Sequence, residues 1–251
     1  MNIPAISVVT VCRNSAEELP SAAASVLGAL GPRDEWVVQD GASDDGSAEF
    51  LGEMRDPRVK PESRSDGGIY DAMNRAVRRA SGDFVLFLGA DDRLRIRLDE
   101  VRPRLADGRT VYYGDVRRTA SGDRYAGEFD GAKLARTNIC QQAIFYPRAA
   151  FEGRTFDVRY AQQADWVFNM DCFADASLKF EYLSLVVADY AQGGASSSRM
   201  DAAFQRDYRR LLRKYFPFRQ RWKPALMNAL SEAYRALPGV PPPRQTPARA
   251  E

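Results

Sequence analysis

The first hundred residues alternate short, uniformly apolar runs with segments whose apolar positions recur every three or four residues. ISVVTV at 6–11 is rich in β-branched residues, and EWVVQD at 35–40 and DFVLFLGADD at 83–92 repeat the theme. Such runs read as strands. Between the first two, NSAEELPSAAASVLGAL aligns Leu19, Ala23, Val26, Leu27 and Leu30 on one stripe, with Ser15 and Glu18 at the spacing of a capping box. GSAEFLGEM predicts a short helix, PRVKPE a weak third strand and IYDAMNRAVRRA at 69–80 a further helix. This βαβα order predicts a parallel sheet covered by helices on both faces. Phe84 to Leu88 is apolar on both parities, as a central parallel strand should be.

From residue 99 the pattern is mixed. RTVYYGDVRR and DRYAGEF are suited to pair as strands, CQQAIFYPR is another apolar segment, ADWVFNMDCFAD predicts a helix and FEYLSLVVADYA a further strand. GGASSS at 193–198 has the composition of a flexible loop, a candidate lid. Beyond it, Phe204, Tyr208, Leu211, Leu212 and Tyr215 line one face of a helical pattern, and Arg206, Arg209, Arg210, Arg213 and Lys214 line the other. The organisation expected is one domain over 1–198, with halves 1–98 and 99–198, then a basic amphipathic helical region over 199–236. A Pro-rich disordered tail over 237–251 completes it.

Composition narrows the chemistry. The chain has 251 residues, 45% of them hydrophobic, enough for a sizeable core, and its +2 net charge names no polyanionic partner, nucleic acid included. It contains no histidine, which removes imidazole acid–base catalysis, Ser-His-Asp systems and His-ligated zinc. Cys12, Cys140 and Cys172 are scattered and odd in number, the pattern of reduced cytosolic thiols used in packing. No apolar run approaches the ~20 residues that cross a bilayer, and the N-terminus lacks signal-peptide character. A cytoplasmic, soluble or peripheral protein is expected.

Acidic turns follow the predicted strands: Asp40 and Gly41 after the second, Asp66 before the 69–80 helix, Asp91 and Asp92 after the fourth. In open α/β sheets ligands gather beyond the carboxyl ends of the strands. GxGxxG, GxxxxGK[ST] and the kinase loop set are all absent. A carboxylate-rich mouth accepts a diphosphate only with a cation between them, and Mg²⁺ or Mn²⁺ suits oxygen ligands. Asp91 and Asp92 fit that need; as a turn and helix cap they have an equally good structural explanation.

SVVTVCRN, VVQDGASDDGS, SDGGIYDAMNRAVRRASGDFVLFLGADD, YYGDV, NICQQAIFYP and ADWVFNMDCF resemble, in order and spacing, family 2 glycosyltransferases of the GT-A fold. They are most similar to the bacterial branch that builds surface polysaccharides and glycolipids. The resemblance covers about residues 3 to 198 and implies an α/β, Rossmann-like, mixed but mainly parallel sheet with helices on both faces. It implies a metal-dependent, inverting hexosyl- or hexosaminyltransferase that uses Mg²⁺ or Mn²⁺. The donor would be a nucleotide-sugar, UDP ahead of GDP and dTDP, and the acceptor a glycan or lipid-linked hydroxyl.

By the same resemblance Asp40 reads the nucleotide base, with Thr10 and Arg13 beside that pocket. Asp66, Asp71 and Asn74 are donor contacts, around glycines that let the backbone approach the ligand; Asp71 also reads as a complement to its helix N-terminus. Asp91 faces the ribose or metal shell, Asp92 holds the metal and Asp165 is the catalytic base, its alternative being a helix-terminal carboxylate. Gln141, Gln142 and Trp166 are acceptor or donor contacts. Two departures from the family pattern stand out: Gln141 replaces the usual His, and Ala164 replaces the acid that often precedes the base. The second removes a group that would help orient the acceptor, and Gln141 keeps open a catalytically degenerate nucleotide-sugar-binding paralogue; a sugar nucleotidyltransferase is the weaker alternative. Residues 199–223 are the expected contact with an anionic membrane surface.

Overall fold

The computed structural model describes residues 3–191 and 201–217. The loop at 193–198, the tail at 237–251 and the part of the expected helical region from 218 to 236 lie outside the described residues. Its elements, in chain order, are β1 (Ile6–Cys12), α1 (Leu19–Ala29), β2 (Glu35–Asp40), α2 (Ser47–Glu53), β3 (Val59–Ser63), α3 (Ile69–Arg79) and β4 (Phe84–Phe87). They continue with β5 (Arg93–Leu94), α4 (Leu98–Val101), β6 (Thr110–Arg118), β7 (Arg124–Tyr125), α5 (Gly131–Leu134), β8 (Ile144–Pro147), α6 (Ala164–Ala174), β9 (Lys179–Tyr190) and α7 (Ala202–Tyr215).

One sheet runs through both predicted halves in the order β3-β2-β1-β4-β8-β6-β9-β5, with β7 paired to β6. β1, β2, β3 and β4 are mutually parallel, as their crossover helices require. The second half joins by the antiparallel β4–β8 and β6–β8 pairs, then a parallel β6–β9 pair. Pro61 sits in β3, the strand at one end of the sheet, where its missing N–H interrupts nothing.

Strand alternation divides the core into two layers. Ile6, Val8, Phe84 and Leu86 pack on one face with Leu19 and Val26 of α1. Val9, Val85 and Phe87 pack on the other with Met73 and Ala76 of α3 and Phe168 of α6. α7 lays Phe204, Leu211 and Leu212 on this second layer and leaves Arg206, Arg209, Arg210, Arg213 and Lys214 exposed.

The capping box expected at Ser15 and Glu18 does not form. α1 begins at Leu19, with Glu18 as N-cap and no side-chain bond to it. The Ser15 carbonyl instead accepts the N–H groups of Glu18 and Leu19, while the Ser15 N–H donates to the Ser47 hydroxyl at 2.9 Å. A tertiary partner has displaced the local cap.

At the amino-terminal edge of the sheet, Glu35 is buried and accepts from the Ser7 hydroxyl at 2.5 Å, the Ser81 N–H and hydroxyl, and Lys60. Burial opposes its charge, yet these donors hold the carboxyl down to about 2. A depressed carboxyl stabilises the fold above its unfolded value, and the contribution disappears as pH falls through the folded one. Glu35→Gln is therefore expected to cost roughly 2–3 kcal/mol at pH 7. In denaturant titrations the gap to wild type should close between about pH 4.5 and 2.

Candidate active site

The carboxyl ends of β1 and β4 and the starts of α3 and α6 enclose a cavity of about 800 Å³, completed by residues 137–142 and the ends of β6 and β9. This is the edge at which an open α/β sheet takes its ligands. Arg13, Asp66, Asp91, Asp92, Gln141, Gln142, Asp165 and Trp166 all line it. Gly68, with φ of 114°, turns the chain into α3 in a conformation that side-chain-bearing residues rarely adopt. Its N–H donates to Asp66 Oδ1 at 2.9 Å.

At the end of β4, Asp92 is 1% exposed. Its Oδ2 accepts from Gln142 Nε2 at 2.8 Å and from the Gly89 N–H at 3.2 Å, and its Oδ1 accepts from the Ala191 N–H at 2.9 Å. Burial, and then the neighbouring Asp91 charge, push its carboxyl up to about 6 against these donors. Asp91 is exposed to the cavity. A methyl group on Gly89 would lie 2.7 Å from both Asp91 Oδ1 and Asp92 Oδ2, so the glycine leaves a space over which two carboxylate oxygens converge. Among the described residues no group of three or more acidic or thiol ligands is assembled. Two hard carboxylates over a vacant Cβ position nonetheless fit a divalent ion that takes its other ligands from water and phosphate.

At the opposite wall, Asp165 lies in the first turn of α6. Its Oδ1 accepts from the Tyr70 hydroxyl at 2.8 Å and its Oδ2 from Asn138 Nδ2 at 2.6 Å. Burial raises its carboxyl above the ordinary range in spite of these donors, giving a stronger base than a solvated aspartate. Trp166 donates from Nε1 to the Leu134 carbonyl at 2.8 Å, and its ring stacks on Phe204 of α7 at 5.0 Å. The last described helix thus buttresses the wall that carries Asp165.

Four expected site residues do not line the cavity. Thr10 is buried and its hydroxyl accepts from Trp36 Nε1 at 2.9 Å. Asp40 is fully buried and turned into its own loop, accepting from the Ser43 N–H at 3.0 Å, the Ser63 hydroxyl at 2.5 Å and the Ser43 hydroxyl. Burial opposes its charge, but these donors keep its carboxyl below the usual range. Asp71 accepts from the Gly67 N–H at 2.9 Å and pairs with Arg75 at 2.7 Å, which is the helix-terminus alternative. Asn74 clasps the backbone of Phe156, donating to its carbonyl and accepting from its N–H, each at 2.9 Å.

Other residues reach the cavity without having been singled out from the sequence: Tyr70, Arg118, Tyr125, Asn138 and Gln162. Tyr70 and Asn138 lie inside the motifs GIYDAMN and NICQQ, so their neighbourhood was legible although their roles were not. Arg118 stacks over the Tyr125 ring at 4.6 Å; nothing in its local sequence marks it.

The sequence model described as "Glycosyl transferase family 2" matches residues 7–152, more than half of the chain. The chain belongs to glycosyl transferase family 2. A "PGL/p-HBAD biosynthesis glycosyltransferase" of Mycobacterium bovis (strain BCG / Pasteur 1173P2) is 36% identical over 218 residues, covering 81% of this chain and 84% of that protein. Among solved structures, S. aureus TarS 1-349 in complex with UDP-GlcNAc superposes with a TM-score of 0.68 at 18% identity. That match covers 84% of this glycosyltransferase and 65% of the TarS chain. Mannosyltransferase PcManGT from Pyrobaculum calidifontis in complex with GDP-Man and Mn2+ superposes at 0.62 with 16% identity, covering 96% and 77%. These neighbours establish the GT-A fold of the family 2 enzyme.

The Asn74 clasp separates structure from ligand binding. Asn74→Ala is expected to cost about 1–3 kcal/mol of stability by orphaning two backbone groups. Donor affinity should stay within about twofold of wild type in calorimetry, since the side chain is absent from the cavity wall.

Proposed function

We propose that this glycosyltransferase is an inverting enzyme that moves a hexosyl or hexosaminyl group from a nucleoside-diphosphate sugar, UDP ahead of GDP and dTDP, to an acceptor hydroxyl. The observation that carries the reading is the division of carboxylates within one cavity: paired Asp91 and Asp92 at the end of β4, and a separate Asp165 with a raised carboxyl at the start of α6. The pair suits a charged diphosphate and its counter-ion; the single group suits proton abstraction. The ligands named for the TarS and PcManGT structures, UDP-GlcNAc and GDP-Man with Mn2+, agree with a donor of this kind.

Asp91 and Asp92 would hold the Mg²⁺ or Mn²⁺, which when bound neutralises the diphosphate and makes it a better leaving group. Asp165 takes the proton of the acceptor hydroxyl. The acceptor oxygen forms a bond to the anomeric carbon as the carbon–oxygen bond to the β-phosphate breaks, and the electron pair departs with the diphosphate. Attack opposite the leaving group inverts the configuration. One carboxylate base is sufficient, which is how a chain without histidine performs the reaction. Gln142 fixes Asp92 through its amide, and Gln141, which donates to Met73 Sδ at 3.7 Å, presents a neutral amide where a titrating group is usual.

The acceptor proposed is a glycan or lipid-linked hydroxyl in surface polysaccharide or glycolipid assembly, in keeping with the PGL/p-HBAD biosynthesis named for the mycobacterial relative. Among the described residues no helix is long and apolar enough to cross a membrane. The exposed cations of α7 would instead hold the enzyme against an anionic surface. Replacing Arg206, Arg209 and Arg213 by Glu should abolish co-sedimentation with phosphatidylglycerol vesicles at low salt; unchanged sedimentation would remove the surface role.

The central test uses UDP-glucose, UDP-GlcNAc and GDP-mannose with Mn²⁺, reading nucleoside diphosphate release. Asp165→Asn is expected to lose about 10²–10⁴-fold in turnover while retaining the donor-induced thermal shift. Asp92→Asn should lose the metal-dependent part of that shift. Undiminished turnover in Asp165→Asn would falsify the base assignment, and saturable donor binding without turnover in wild type would favour the degenerate paralogue.

A further inference from the structure

From Asn138, beside Asp165 at the cavity wall, a chain of side-chain hydrogen bonds runs into the core. Tyr146 of β8 donates its hydroxyl to Asn169 Oδ1 at 2.7 Å, Asn169 Nδ2 donates to Asn138 Oδ1 at 2.8 Å, and Asn138 Nδ2 donates to Asp165 Oδ2 at 2.6 Å. Asn169 and Tyr146 are both 0% exposed. Asn169 stands on α6 among Val167, Phe168, Met170 and Cys172, all buried, a setting in which packing alone would select a hydrophobe. Burying an amide there is costly unless its groups are paired, and both its oxygen and its nitrogen are paired.

The chain has one polarity, and the charge of Asp165 sets it. An ionised carboxylate only accepts, so Asn138 must present its NH₂ to it and therefore its oxygen to Asn169. Asn169 must then present its own NH₂ to Asn138 and its oxygen to the Tyr146 hydroxyl. Each donor polarises the next toward Asp165. The far end is anchored by the Tyr146 ring, packed edge-on against Phe87, Phe151 and Phe168 at centroid distances of 5.6–6.0 Å. The near end is steadied by Tyr125, whose hydroxyl donates to the Asn138 carbonyl at 2.9 Å.

We infer that Asn138 and Asn169, terminated by Tyr146, are positioning residues that orient Asp165 and favour its ionised form. The inference rests on the reading of Asp165 as the base. Without the chain, Asp165 would keep the Tyr70 hydroxyl on Oδ1 but lose the donor that fixes Oδ2, and its carboxyl would protonate at higher pH. The other titratable groups around Asp165 are Tyr70 from α3, Tyr125 from β7, Cys140 ahead of β8 and Tyr146 from β8, and burial raises each of them, so they stay neutral near pH 7. Arg118 shares the cavity and touches the Tyr125 ring.

The test is a carboxyl-carbon NMR titration of Asp-labelled enzyme, with the Asp165 resonance assigned by its loss in Asp165→Asn. Asn138→Ala is expected to move the Asp165 titration upward by about one pH unit, Asn169→Leu by less and Tyr146→Phe by least, following the order of the chain. The acid limb of nucleoside diphosphate release from the donor that turns over should move upward with it, while donor affinity is unchanged in Asn169→Leu and Tyr146→Phe, whose side chains are absent from the cavity wall. A purely structural role would alter thermal stability and leave both curves in place. Tyr146→Phe keeps the ring and its packing, so it serves if Asn169→Leu does not fold. An Asp165 titration identical to wild type in Asn138→Ala and Tyr146→Phe overturns the inference even if Asp165→Asn is inactive; an active Asp165→Asn overturns the base assignment instead, whatever the titrations show.

Discussion

The arrangement depends on the position of β4. It is a four-residue strand buried on both faces, bonded in parallel to β1 on one side and antiparallel to β8 on the other. A strand so enclosed leaves its chain one exit, over the carboxyl edge of the sheet, and the residues that take that exit are Gly89, Ala90, Asp91 and Asp92. The antiparallel neighbour then delivers its own amino-terminal approach, residues 138–142, to the same edge. The two carboxylates and the amides that face them meet because the core allows no other route.

Removal from water is the second organising condition. The cavity carboxylates do not share one environment: Asp91 is exposed, whereas Asp92 and Asp165 are enclosed and hydrogen-bonded. Burial raises the carboxyls of Asp92 and Asp165, while the neighbouring hydrogen bonds oppose the rise without cancelling it. Asp40 and Glu35 are buried too, but have donors enough to hold their carboxyls low. The number and strength of the donors, more than burial itself, separates the carboxyls held low from those left raised.

Much of this was legible in the linear pattern. Double-parity apolar runs marked the buried strands, and the acidic turn after the fourth lies, as expected, at the carboxyl edge of the sheet, where the cavity opens. Asp91, Asp92, Asp165 and Trp166 were found as members of family motifs and all reach the cavity wall. Thr10, Asp40, Asp71 and Asn74 belong to the same motifs and do not reach it in this structure. A motif records which residues travel together, and a residue that braces a loop travels with it as faithfully as one that touches a ligand. The capping box at Ser15 failed for a related reason, because Ser47, thirty-two positions away, offered Ser15 a better partner.

By itself the sequence determined the main alternation of strands and helices, a sheet covered by helices on both faces, the family and the absence of imidazole chemistry. These follow from local periodicity and residue type, which are written along the chain. The tertiary structure decided which polar groups face the cavity and which face each other. Tyr70 reaches Asp165 from 95 residues away, and Gln142 reaches Asp92 from 50. Whether a carboxylate binds, abstracts a proton or merely braces a turn depends on the donors and the solvent around it, and those are brought together only when distant segments pack.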